Sequence, residues 1–99
     1  MIFERAEIRV KAGEEASFVA AVQAAAPLFQ RAKGCVSMQL EQSVEYPDRY
    51  TLVVGWQTVE DHTVDFRNSA DFQEWRRLAG PYFAEPPQVQ HLNTVLQAF

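Results

Sequence analysis

Residues 2–10 alternate, with Ala6, Ile8 and Val10 on one side and Arg5, Glu7 and Arg9 on the other. That period of two predicts a strand covered mainly on one face. Lys11-Ala12-Gly13 follows as a turn, and Glu14 and Glu15 then stand where the positive end of a helix favours carboxylates. Phe18, Val22, Ala25 and Phe29 recur at helical spacing and predict an amphipathic helix laid on a sheet. Pro27 falls inside this stripe, where a proline removes one backbone hydrogen bond and crowds an earlier carbonyl, so a kink or a new turn is expected there. Beyond Gly34, the apolar Val36, Met38 and Leu40 alternate with Ser37, Gln39 and Glu41 as a second strand. Tyr46-Pro47-Asp48-Arg49 has the composition of a turn, so a third strand over residues 50–56 is expected to pair with the second as an antiparallel hairpin with a longer loop.

The third strand is apolar on both sides, with Tyr50, Leu52, Val54 and Trp56 on one and Val53 and Gly55 on the other, and both faces are expected to be covered. The stretch 56–83 then gathers both tryptophans, His62 and a set of aromatic rings interleaved with Arg67, Arg76 and Arg77. His62 and Phe66 stand four apart, and Phe72, Trp75 and Ala79 repeat the three-and-four spacing further on. The pattern breaks near Asn68-Ser69, where Ser69 can accept from the free N–H groups that open a helix, so two consecutive short helices are predicted. Gly80-Pro81 ends the second of them. Pro86-Pro87 prevents further helix, and residues 89–96 read as a final strand.

The order strand, helix, strand, strand, helices, strand is that of an α+β protein, the ferredoxin-like βαββαβ arrangement with an antiparallel sheet, formed as one domain over residues 1–99. In that arrangement the helices cover one face of the sheet and leave the other bare. Apolar third and fourth strands would present a patch that a two-fold homodimer, packing sheet on sheet, would bury.

Composition is that of an ordinary globular chain, 47% hydrophobic and 22% charged, and no segment approaches the roughly eighteen apolar residues of a membrane span. A cytoplasmic protein with no membrane partner is expected. The net charge of −4 and the scattered basic residues argue against a nucleic-acid partner. Cys35 is the single cysteine, which excludes an internal disulfide; with two distant histidines it makes no zinc site, and it is expected to serve as a small buried hydrophobe.

Gly34-Cys35-Val36-Ser37-Met38-Gln39-Leu40, the Pro-Asp turn, Trp56 followed by Glu60-Asp61-His62, and then Ser69 and Phe72 together resemble the antibiotic biosynthesis monooxygenase domain over nearly the whole chain. The resemblance implies a dimeric α/β barrel built from ferredoxin-like protomers. It also implies one of several functions, since the family includes cofactor-independent monooxygenases that oxidise polycyclic phenols or quinols, heme-degrading enzymes, and small proteins without a known activity. The heme-degrading branch needs an Asn on the first strand and a Trp and a His on the helices after the third. This chain offers Phe66 and Arg76 at the latter two places and no Asn on its first strand.

Oxidation without a cofactor asks little of a protein: bind a flat aromatic molecule, help one proton leave, and stabilise the anion that then reacts with dioxygen. His62 and His91 are the only side chains whose ordinary pKa lies near neutrality, and they are the candidate bases. Trp75, Tyr82, Phe66 and Phe83 are candidates to wall a pocket for a small aromatic molecule, with Phe66 and Phe72 also suited to the core. Arg76 is the candidate cation, only one of the three arginines being expected to face inward. No cofactor and no metal is called for. A non-catalytic small-molecule binder, a heme-binding protein and a purely structural dimer remain as alternatives on the same residues.

Overall fold

In the computed structural model, which describes residues 1–99, the alternating segments become a four-stranded antiparallel sheet. Its strands are β1 (Ile2–Arg9), β2 (Cys35–Gln42), β3 (Arg49–Trp56) and β4 (Gln88–Leu92), in the order β2-β3-β1-β4. Helix α1 (Glu15–Gln30) joins β1 to β2, and a π-helical turn (Asp61–Phe66), helix α2 (Ala70–Ala79) and a single 3-10 turn (Gly80–Tyr82) join β3 to β4. This is the ferredoxin-like order that the pattern of apolar positions predicts. No helix is long and apolar enough to cross a membrane.

The two-residue period sorts the faces of the sheet. Ala6 and Ile8 of β1 and Tyr50, Leu52, Val54 and Trp56 of β3 are buried beneath the helices, whereas Arg5, Glu7 and Arg9 face away. From above, α1 contributes Phe18, Val22, Ala25 and Phe29, and α2 contributes Trp75 and Ala79. Phe29 joins the two helices, with its ring 4.8 Å from that of Phe66 and 5.2 Å from that of Trp75. Fully burying each such ring stabilises the fold by roughly 1.5–3 kcal/mol. Ser69 caps α2 as expected, its hydroxyl accepting from the Phe72 N–H at 3.1 Å. Cys35 is half-buried, and burial raises its thiol pKa.

Three expectations are corrected. One continuous helix spans Pro27 where a kink or new turn was expected. The proline lies near the end of α1 and faces solvent, and the carbonyl it leaves unpaired belongs to the exposed Gln23, where water can satisfy it. The last strand stops at Leu92 instead of running to 96, because Leu92 pairs with Phe3 and β1 begins at Ile2, so the partner strand is exhausted. Val95, Leu96 and Phe99 beyond it are exposed. Finally, the second face of β3 is only partly covered within the protomer, with Gly55 buried and Thr51 and Val53 half-buried.

Candidate active site

Glu4 shares a face with Ala6 and Ile8, and a carboxylate on that face is carried under the helices. Sheet register places it opposite His91 of β4 and Val54 of β3, with Trp56 two residues further along β3. The π-helical turn after β3 carries His62 back over the sheet, where its ring stacks on that of Trp56 at 5.2 Å and 17°. Four side chains from four elements thus meet. Glu4 Oε1 accepts from Trp56 Nε1–H at 3.0 Å, and His62 Nε2 lies 3.3 Å from the same oxygen. On the other side of the ring, His62 Nδ1 is 2.8 Å from His91 Nε2. Every buried side-chain nitrogen and oxygen has a partner and none is found for Glu4 Oε2, so this second oxygen is the open one.

Burial sets the proton affinities. It pushes the Glu4 carboxyl up to about 7, against the pull of the Trp56 N–H and the Arg67 charge. It holds His62 down at about 4, helped by the charges of Arg67 and His91, and it lowers His91 in the same way, with Arg67 assisting. Both imidazoles are therefore neutral at pH 7, and a single N–H lies between them. Two arrangements satisfy the contact. If His62 donates from Nδ1, its Nε2 is a bare acceptor towards a protonated Glu4; if His91 donates, His62 Nε2–H faces a Glu4 carboxylate. The protonation of Glu4 and the tautomers of both histidines are linked.

Glu4 opens into a cleft of about 820 Å³ between the sheet and α2. Ala6, Ile8 and Leu52 form its floor, Phe72, Trp75 and Phe83 its aromatic wall, and Pro86 and Pro87 its far rim. His62 and Arg67 stand at the Glu4 end, and Arg76 and Arg77 line it from α2. Of the candidates named from sequence, His62, Trp75, Phe83 and Arg76 line this cleft. His91 does not, but it touches His62 from behind. Phe66 is buried against Phe29, Trp56 and Phe72, and Tyr82 packs against the core from the 3-10 turn; neither lines the cleft. All three arginines line it, where one was expected. Glu4 is the residue that sequence reasoning missed, and its signal was its phase: an acid on the same side as Ala6, Ile8 and Val10. No three His, Cys, Asp or Glu side chains converge as metal ligands.

Residues 1–78 match the family model for antibiotic biosynthesis monooxygenases. An uncharacterised protein of Bacillus subtilis, YczJ, is 37% identical over 95 residues, which cover 96% of this chain and 100% of that one. Among solved structures, a Bordetella bronchiseptica protein assigned by name to the antibiotic biosynthesis monooxygenases is 60% identical, covers 96% of this chain and 97% of its own, and superposes with a TM-score of 0.95. A Nitrosomonas europaea protein of the same assigned name is 20% identical with a TM-score of 0.82, covering 95% and 89% of the two chains, and shares the fold. With four-fifths of its length inside the family model and its fold reproduced in those structures, the chain belongs to the antibiotic biosynthesis monooxygenase family.

Proposed function

We propose that the cleft binds a small phenolic or quinol-type aromatic molecule and that the protein oxidises it with dioxygen, without a cofactor. The observation that carries this is Glu4: a carboxyl poised at about 7, with one oxygen held by Trp56 and the other open, in a cleft with an aromatic wall. A base works best when its pKa lies near the working pH. As a carboxylate, Glu4 takes the phenolic proton on Oε2, and the positive charge of Arg67 favours the anion formed. That anion gives one electron to dioxygen, and the substrate radical and superoxide combine to form a carbon–oxygen bond. The peroxide takes a proton from Glu4; its O–O bond then breaks as a C–H proton and hydroxide leave together as water. The substrate loses two hydrogens and gains one oxygen atom, and the second oxygen atom becomes water. All four electrons come from the substrate, so no external reductant enters.

The protein acts, in this proposal, as a homodimer joined sheet on sheet. The bare face carries an apolar patch of Phe3, Val53 and Leu92 flanked by Arg5, Gln39 and Gln90, and exposed Val95, Leu96 and Phe99 follow directly from the β4 edge; the patch and this apolar tail are suited to a second copy.

Oxygen uptake with a panel of quinols and polycyclic phenols tests the activity. Uptake above the spontaneous rate should fall about 100-fold or more in Glu4→Gln. Absence of uptake across the panel, with ligands still bound, would reduce the cleft to a binding site.

A further inference from the structure

The cleft is electropositive in an acidic protein. The chain carries nine Lys and Arg against thirteen Asp and Glu, yet three of the nine, Arg67, Arg76 and Arg77, line this one cavity, against two acids, Glu4 and Glu85. Glu4 offsets little of that charge while it holds its proton. Arg77 is engaged by Glu74 on its own helix, whereas Arg67 and Arg76 take part in no ion pair. Outside the cleft, Arg49 is the one other arginine without an ion pair, and its guanidinium lies over the Tyr46 ring instead. Two left unpartnered in one concave site are available to an anion.

Their positions differ in a useful way. Arg67 sits at the Glu4 end, close enough to act on the titration of Glu4, His62 and His91. Arg76 projects from α2 beside Trp75 and one turn after Phe72, with its guanidinium 6.0 Å from the centre of the Phe72 ring. A ring lying along Phe72 and Trp75 would bring one substituent to Glu4 and Arg67, and another to Arg76. Guanidinium and carboxylate match as planar, bidentate partners.

We propose that the ligand of this cleft is an aromatic molecule bearing an anionic substituent, in its simplest form a carboxylate, and that Arg76 is the residue that selects it. This rests on the aromatic-binding reading above and adds the charge of the substrate. The selection acts through binding: a neutral analogue of the same shape leaves Arg76 without a partner.

Calorimetric titration of the purified protein with naphthalene-2-carboxylate and with its isosteric neutral partner, naphthalene-2-carboxamide, tests this without any oxidation step. The carboxylate should bind about tenfold or more tightly, as a charge-assisted hydrogen-bonded pair requires. Its advantage should shrink as salt is raised. Arg76→Gln should abolish the preference by weakening carboxylate binding to the level of the carboxamide, and Arg49→Gln, outside the cleft, should keep it. Equal affinity for the two probes, binding of neither, or a preference that survives Arg76→Gln would overturn the proposal. The oxygenase reading stands or falls separately: a carboxylate preference with no oxygen uptake from any quinol, charged or neutral, would sink that reading alone.

Discussion

Glu4 and His62 face each other at 3.3 Å with their ordinary acidities exchanged, the carboxyl near 7 and the imidazole near 4. Both side chains are almost wholly buried, and burial penalises whichever form is charged. The result is a pair that can be neutral on both sides across the mildly acidic range.

Stability should follow from this pair with opposite signs. Folded Glu4 holds its proton above its unfolded value of 4.5, so its contribution is fully present below 4.5 and is lost as pH rises through about 7. Folded His62 resists its proton below its unfolded value of 6.5, so its contribution is present above 6.5 and is lost as pH falls through about 4. Between 4.5 and 6.5 the two slopes oppose each other, each worth up to about 3 kcal/mol. Urea midpoints of Glu4→Gln should therefore fall on acidification from 6.5 to 4 more steeply than those of the parent. Those of His62→Phe should fall as pH rises from 4.5 to 7. Parallel curves for parent and variants would show that these groups do not titrate as described.

The same carboxyl predicts the pH dependence of turnover. If Glu4 is the base, the rate should rise through about pH 7 as Glu4 ionises, and Glu4→Gln should lose this limb. Trp56→Phe removes the N–H that favours the carboxylate, and Arg67→Gln removes a cation that does the same. Both should move the limb to higher pH, visible in the pH profile of kcat/KM. A purely structural role for either residue would lower the rate without moving the limb.

Gly34 is expected to resist substitution. Its φ of +77° suits glycine, and a Cβ there would overlap the carboxylate of Asp61, which opens the π-helical turn that holds His62. Gly34→Ala should cost about 1–2 kcal/mol for the backbone alone, with more from the displaced Asp61. Chemical denaturation measures the loss. Because Asp61 adjoins His62, ligand affinity measured by titration should weaken as well.

For the homodimer, light scattering should give twice the protomer mass. Val53→Arg places a second cation opposite Arg5, its cross-strand neighbour, at the centre of the bare sheet face, on a side chain already half exposed in the protomer. It should raise the dissociation constant at least about tenfold, since burying one cation beside another costs several kcal/mol. A protein that is monomeric at micromolar concentration would refute the proposed assembly.

The elements of this fold were legible in the chain because each rests on local repetition. The alternation of Ala6, Ile8 and Val10, the stripe from Phe18 to Phe29, and the cap at Ser69 are properties of neighbours a few residues apart, and the structure follows them. The end of β4 was not legible, because a strand stops where its partner does, and the partner of Leu92 is Phe3 at the other end of the sequence. The candidate site divides in the same way. The clustering of Trp75, Arg76, Arg77 and Phe83 is a matter of one helix and the turn after it, and they share the cleft with Arg67 from the turn before. Glu4, by contrast, is an unremarkable acid until β1, β3 and β4 pair and the π-helical turn folds over them. Only then do Trp56, His62 and His91, from 52 residues away in the case of Trp56, surround it and exclude water. Periodicity decided which face Glu4 would occupy; desolvation by residues distant in sequence decided that its proton would be held near neutrality.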